Sequence, residues 1–495
     1  MILQNVIQSL LLKRVSGDVA VEISGIEMDS RQVKPGNLFI AVRGFTVDGH
    51  RYISQAVQRG AIAILVEEMV EVPPHVTVIQ VPDTRRAMAI VADIYYGHPT
   101  HELKLIGITG TNGKTTTSTL LQNLFLDHEK KSGLIGTIGM KIGDRELPTS
   151  NTTPEILELQ KSFRMMRDEG CEYSFIEVSS HALDQGRTRG CKFHIGVFTN
   201  LTQDHLDYHE TMEQYREAKG LLFNQLANQY LTSSDEQCYA VLNADDPASS
   251  YYARITPAQV VTFGIDQSAD VMASNIRITP QGTSFDLHTF CGNGAVNTKL
   301  MGKFNVLNML AAISVGLIEG LSLEQIINSL EQIPGVDGRF EPVHAGQDFT
   351  VVVDYAHTPD SLENALKTVR EFASKRVITL IGCGGDRDRT KRPLMAKIAA
   401  DYSDLAIYTS DNPRTEQPEA ILEDMLSGVL SVKAEKIHTI VDRAEAIRYA
   451  ILHAQSGDVI LIAGKGHETY QEINGVKNDF DDRVIARQFM LEDLK

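Results

Sequence analysis

The sequence predicts an α/β protein of three domains, and three observations carry that prediction. The chain has 495 residues, whereas a single hydrophobic core stops growing at about 250–300 residues. In KLIGITGTNGKTTTSTLLQNLFLDH an apolar run, a Gly-rich turn and a helix-forming stretch follow one another, the order in which a phosphate-binding loop is built. Beyond residue 335, the runs FTVVVDYAHT, RVITLIGCGG, LAIYTSDNPR and DVILIAGKGHE are apolar strands that each end in a polar turn, the pattern of a Rossmann-like sheet.

The opening MILQNVIQSLLLKR places Leu3, Val6, Ile7, Leu10 and Leu11 at helical spacing, with its charges after the apolar residues. That predicts an amphipathic helix rather than a signal peptide. The strand-like runs VAVEISGI, GNLFIAV, AIAILVEE and VTVIQV, broken by Pro-Gly and Asp-Gly turns and by the helical ISQAVQRG, make residues 1–98 a small α/β domain. Residues 99–333 form a central nucleotide-binding domain with a mainly parallel sheet. Its strands SFIEVSS, GVFTNL and CYAVLNA end in polar or acidic residues, and it closes near Ile333, Pro334 and Gly335. Residues 334–495 are the C-terminal Rossmann-like domain. Open parallel sheets place their sites at the carboxyl ends of strands, which is where these polar residues fall.

Composition narrows the function. Apolar residues at 42% and charged residues at 22% are ordinary for a globular protein. Lys plus Arg number 47 against 64 Asp plus Glu, a formal charge of −17, which disfavours a sequence-independent grip on nucleic acid or anionic lipid. Cys171, Cys191, Cys238, Cys291 and Cys383 are far apart and never in a C-x-x-C pair, so neither a disulfide framework nor a zinc knuckle is expected, and a reducing cytoplasm fits. No apolar run reaches the 18 or so residues that a membrane span needs, so no membrane insertion is expected.

The loop GITGTNGKTTT departs from the spacing G-x-x-x-x-G-K-[ST], because Ile108 stands where the first glycine belongs. Its context is nevertheless that of a phosphate cradle: Gly110 and Gly113 allow close backbone approach, the helix amides attract anions, Lys114 adds a point charge and Thr115 can ligate Mg²⁺. Glu177 and His205 are reasonable ligands for a second Mg²⁺. A protonated Lys219 beside two cations would be repelled, and on residues alone it reads better as a surface lysine. His205 and His209 are spaced i and i+4, but Leu206 stands where H-E-x-x-H requires Glu, so a zinc protease is disfavoured and one ligand histidine beside one structural histidine is expected.

Asn305 and Asn308 fall at a predicted helix start, where an Asn either reads a base edge or caps the helix. Arg339 and Asp354 can reach a phosphate and a ribose hydroxyl, or serve turns. Arg387, Arg414 and Glu468 suit a ligand with carboxylates and an amine, or form solvated loops.

Taken together, TGTNGKTT, EVSSHALDQGR, NLTQDHLDYH, YREAKGLLF, GKFNVLN, DGRFE, DYAHTPDSL, GGDRDRTKRP, DNPR and GKGHE resemble the Mur ligases along essentially the whole chain. The resemblance implies an N-terminal UDP-muramoyl substrate domain, a central ATPase domain and a C-terminal domain that brings the amino acid. It implies amide-bond formation in peptidoglycan precursor synthesis, with ATP phosphorylating a substrate carboxylate to an acyl phosphate that an amine attacks. Lys114, Glu177, His205 and Lys219 are the implied catalytic group. Two Mg²⁺ ions and a carbamate on Lys219 are implied, the carbamate joining Thr115, Glu177 and His205 as a metal ligand and overturning the surface reading.

By the same resemblance, ATP lies on Gly110, Thr111, Asn112, Gly113, Lys114, Thr115 and Thr116, with Asn308 near adenine, Arg339 near the phosphates and Asp354 near the ribose. Ser30 matches the uridine site, and Asn151, Thr152, Thr153, Ser179, Gln185 and Arg187 match contacts to the muramoyl-dipeptide. Arg387, in preference to Arg389, joins Asp411, Asn412, Pro413, Arg414, Gly464 and Glu468 in the amino-acid pocket. Arg414 favours meso-diaminopimelate over lysine, because lysine lacks the second carboxylate that would satisfy a buried guanidinium. Small-molecule partners only, a monomer and a cytoplasmic location are expected. The rival readings are a lysine-adding relative, a folylpolyglutamate synthase, which needs neither the DNPR pocket nor the uridine site, and a P-loop switch or motor that hydrolyses ATP without an amine.

Overall fold

The computed structural model describes every residue except 45, 46, 144, 150, 228–236, 431, 433, 494 and 495. Among the described residues no helix is long and apolar enough to cross a membrane.

The first helix is shorter than its spacing predicts. It spans Leu3–Ile7 and buries Leu3, Val6 and Ile7, and Leu10 is buried just beyond it, but Leu11 is 92% exposed. The chain turns there because Lys13 Nζ donates to the Leu10 carbonyl at 2.7 Å and the strand Arg14–Ser16 must pair antiparallel with Thr77–Gln80. Three further parallel strands, Ala63–Val66, Asn37–Ile40 and Gly25–Glu27, complete a five-stranded sheet.

An eleven-stranded sheet follows. Its parallel centre runs in the order Ser132–Gly136, Tyr173–Glu177, Lys104–Thr109, Phe193–Phe198, Tyr239–Asn243 and Gln259–Gly264. Five of these strands are wholly or almost wholly buried, as expected when helices cover both faces. One edge carries an antiparallel meander, Val271–Thr279, Gly282–Thr289 and Gly292–Thr298. Its inward residues Val271, Ala273, Phe285, Leu287 and Val296 join the same core as Leu310 and Ile326 from the helices Lys303–Ile318 and Leu323–Gln332.

A third sheet has six strands in the order Glu341–Val343, Thr350–Asp354, Val459–Ala463, Val377–Ile381, Leu405–Tyr408 and Ile437–Thr439, parallel except for the first, and a two-stranded ribbon, Tyr470–Ile473 with Val476–Asp479, follows it. At the carboxyl end of the six-stranded sheet lies an ion pair with no solvent exposure, Arg443 with Asp482, at 2.7 Å. The same guanidinium donates to the carbonyls of Ser410 and Ala463, just beyond and at the ends of two strands. Removing one partner of such a pair strands a charge in the interior. Arg443→Leu is therefore expected to lower unfolding free energy by about 3–5 kcal/mol, read from the urea midpoint at unchanged m-value. An unaltered midpoint would show the pair to be dispensable.

Candidate functional site

The central strand Lys104–Thr109 delivers the loop 110–113 to the N-terminus of the helix Lys114–Leu126. Two positions in that loop accept only glycine. Gly110 has φ 152°, and a Cβ there would stand 1.9 Å from Thr199 Oγ1; Gly113 has φ 87°, and a Cβ would stand 2.3 Å from Asn308 Oδ1. Lys114 Nζ donates to the carbonyls of Gly110 and Thr111, each at 2.8 Å. Burial lowers its pKa, while Glu177 and Asp204 act against that shift.

Glu177 is fully buried at the end of its strand. Its carboxylate accepts from Thr115 Oγ1 at 3.0 Å, Thr137 N at 3.0 Å and Thr137 Oγ1 at 2.9 Å. Arg339 reaches across from the third sheet to donate to Thr115 Oγ1 at 3.0 Å. His205 holds a left-handed φ of 55° and opens onto the same cleft. Burial keeps its pKa below the ordinary value, with His181, Lys114 and Lys219 reinforcing and Asp204 opposing, so a ring nitrogen retains its lone pair. His209 is instead buried against Ser180 Oγ at 2.8 Å and stacks on Tyr215, so the two histidines do not share a site.

Lys219 corrects the surface reading of the isolated residue: it is 1% exposed. Its Nζ donates to the Gly110 carbonyl at 2.9 Å and lies 4.4 Å from the centre of the Tyr215 ring. Burial, aided by Lys114, depresses its pKa well below that of a free lysine. The amine touches neither Glu177 nor His205 directly and sits behind the loop rather than on the cleft wall. These donors fit a Mg²⁺ site: a buried carboxylate held by hydroxyl and amide donors, an imidazole whose charged form burial disfavours, a hydroxyl, and an amine whose charged form burial also disfavours.

Two cavities meet at the loop, and a third adjoins one of them. One of about 1100 Å³ is lined by Asn112, Gly113, Thr116, Asn308, Arg339 and Asp354 among others. Asn308 does not cap its helix; that place belongs to Gly302, and Asn305 is fully buried with its amide on the Met301 carbonyl. Asp354 accepts from the backbone of Phe340 and Ala356, and burial pushes its carboxyl up to about 6. Asp360, in the helix Pro359–Phe372, accepts from Asn112 Nδ2 at 2.9 Å and Thr202 Oγ1 at 3.1 Å across the two larger sheets.

A second cavity, about 1620 Å³, is walled by Lys114, Thr115, Glu177, Ser179 and His205, by Asn151, Thr152, Thr153 and Arg187, and by Arg387. The third, about 1450 Å³, holds Ser30, Tyr52, Gln55 and Gln185. Arg187 lines both, so the two join through one guanidinium, which Glu155 and the Thr153 carbonyl hold in place.

The remaining group gathers at the carboxyl end of the third sheet. Asn412 Nδ2 donates to Glu468 at 2.8 Å, and a Cβ on Gly464 would stand 2.7 Å from Asp411 Oδ2. Arg414 has φ 52° and donates to the Gly385 carbonyl, and a Cβ on Gly385 would collide with the Pro413 carbonyl. Gly384 lies between Arg414 and Arg387. Arg387 is separated from Arg389 by their partners: Arg389 is held bidentate by Asp424, while Arg387 makes one bond to a neighbouring carbonyl and faces the cleft.

Several residues here escaped the sequence reading. Lys465, fully buried, bridges Asn412 and Glu468. Thr137 orients Glu177, and Tyr355 and His357 line two cavities at once. Only Tyr215 left a readable signal, its i, i+4 spacing from Lys219 on one helix face.

Comparison with known proteins follows this geometry. Residues 22–96 match the Mur ligase family catalytic domain, 108–316 the Mur ligase middle domain and 338–466 the Mur ligase glutamate ligase domain. A Geobacillus thermodenitrificans protein named UDP-N-acetylmuramoyl-L-alanyl-D-glutamate--2,6-diaminopimelate ligase is 58% identical over 473 residues, covering 95% of each chain. A Listeria monocytogenes protein of the same name is 54% identical over 474 residues, again 95% of each. A solved structure described as that ligase superposes with a TM-score of 0.71 at 34% identity, covering 100% of this chain and 99% of that one. With family domains matched in order along the chain and relatives above 50% identity over 95% of its length, the chain belongs to the Mur ligase family.

Proposed function

We propose that this protein is the ATP-dependent ligase that adds meso-diaminopimelate to UDP-N-acetylmuramoyl-L-alanyl-D-glutamate in peptidoglycan precursor synthesis, working as a cytoplasmic monomer. One observation carries the reading: the phosphate loop, the Asn151–Thr153 and Arg187 wall, and Arg387 all open onto a single cleft. The sites for phosphate, acceptor carboxylate and amine therefore share one space. Residues 1–98 take the UDP-muramoyl moiety around Ser30, 99–333 take ATP, and 334–495 present the amino acid.

In this mechanism the amides of Gly110 to Thr116 and Lys114 hold the triphosphate, and Arg339, hydrogen-bonded to Thr115 Oγ1, adds positive charge beside them. Asn308 flanks the adenine and Asp354 accepts from the ribose. Arg187, Ser179, Gln185 and the 151–153 segment orient the dipeptide so that its terminal carboxylate meets the γ-phosphate in line. That carboxylate becomes an acyl phosphate with release of ADP, and the amine of diaminopimelate attacks the acyl carbon, expelling phosphate. Asp411, Asn412 and Glu468 hold the amino-acid end and Arg414 the distal carboxylate. Thr115, Glu177, His205 and carbamylated Lys219 would hold Mg²⁺, which supplies the positive charge that lets two anions approach.

Phosphate release tests the assignment. It is expected to require both UDP-N-acetylmuramoyl-L-Ala-D-Glu and meso-diaminopimelate; release with no amine would sink the ligase reading, and equal turnover with L-lysine would leave a lysine-adding enzyme. The same assay reads Asp354. Protonation below about pH 6 removes the ribose acceptor, so kcat/KM for ATP should fall as pH drops through that value. Asp354→Asn should abolish this inflection; persistence of the inflection in that variant would assign it elsewhere.

A further inference from the structure

A cluster of metal-ligating side chains lies outside these cavities, where the helix Thr84–Tyr95 ends and a turn and the short helix Pro99–Glu102 lead into the central strand Lys104–Thr109. Asp93, His98 and His101 each offer a ligand atom, all within 4.8 Å of one another. None of the three lines the clefts described above. The backbone knits them together: His98 N donates to the Asp93 carbonyl at 2.8 Å, and His101 N donates to that of His98 at 3.0 Å. Asp93 packs against the 190 turn, its Cβ 3.7 Å from where a Cβ on Gly190 would stand. One carboxylate oxygen meets His98 Nδ1 at 2.7 Å; the other, Oδ1, is shielded from solvent and has no hydrogen-bond partner among the described residues.

We propose that Asp93, His98 and His101 form a binding site for a divalent late transition-metal ion such as Zn²⁺. Two imidazoles and a carboxylate select such an ion over Mg²⁺ or Ca²⁺, which prefer all-oxygen shells. Ligands at about 2.0–2.2 Å from one ion lie within about 4.4 Å of each other, so closure asks only small rotations of two exposed rings, whose centroids are 5.6 Å apart. The ion would replace the proton shared by Asp93 and His98, with water completing the shell. Because its ligands come from the last helix before the linker and from the linker itself, the bound ion staples the connection between the first two sheets.

Co²⁺ titration of the untagged full-length chain, with excess Mg²⁺ to satisfy the ATP cleft, tests this. One equivalent is expected to develop a visible absorption band. His101→Ala and Asp93→Asn should each weaken that binding at least about tenfold, the smallest effect seen even for loss of a ligand's hydrogen-bonded partner, while turnover with MgATP stays unchanged. No stoichiometric band in the parent protein, or a band equally strong in the Asp93→Asn, His101→Ala double variant, would overturn the site.

Discussion

Lys219→Ala is expected to lower kcat by roughly 10²–10³-fold, the range seen when one preorganised electrostatic group is deleted from an active site. The physical case rests on a buried amine that, among the described residues, donates to a backbone carbonyl and faces an aromatic ring. Burial and Lys114 both disfavour its positive charge, and Asp204 opposes them. An amine held neutral by its surroundings is the species that adds to carbon dioxide, forming an N–C bond and losing a proton. The product is an anion where a cation was costly. Exogenous formate or acetate should therefore restore part of the lost turnover in Lys219→Ala, since a small carboxylate can occupy the vacated volume. Full activity without rescue would remove the carbamate from the mechanism; a loss that no carboxylate repairs would make Lys219 a packing residue.

The second large effect concerns choice of amine. Arg414→Asn should reduce kcat/KM for meso-diaminopimelate by roughly 10²–10⁴-fold, because two hydrogen bonds to a charged group contribute about 1.5–3 kcal/mol each. Asn is the informative replacement, since it tolerates the left-handed φ of 52° that Ala would occupy under strain. Turnover of L-lysine, which has no distal carboxylate, should change much less, so discrimination narrows chiefly through loss of the preferred substrate. A parallel drop for both amines would point to collapse of the loop, which Arg414 also ties to the Gly385 carbonyl and to the Glu472 backbone.

The legibility of these features in the sequence follows their physical origin. Strand ends and Gly-rich turns are local, so Lys114, Glu177 and Asp354 could be placed at the carboxyl ends of strands from pattern alone. Burial is not local. Lys219 reads as a surface residue on its own merits, and is buried, because nothing in EQYREAKG announces that the helix lies under the phosphate loop. Of the two roles open to Asn305 and Asn308, the cap falls away because Gly302 holds the N-cap and the helix already starts at Lys303. The meander at 271–298 alternates polar and apolar residues too softly to separate from loop, and its apolar face makes sense only against the helix that follows it. Arg443 and Asp482 lie 39 residues apart and find each other only through the folded sheet.

Asp360 ties the third sheet to the phosphate loop through Asn112 and Thr202. Rotation of that unit away from the central one must break both bonds, and each is a bond to a carboxylate worth about 1.5–3 kcal/mol. The backbone amides meant for the nucleotide belong to the same short segment as Asn112, so they cannot rearrange without tugging on Asp360. Orientation of the third unit and conformation of the loop are thus one equilibrium rather than two, and a ligand that shifts either shifts both by the same free energy.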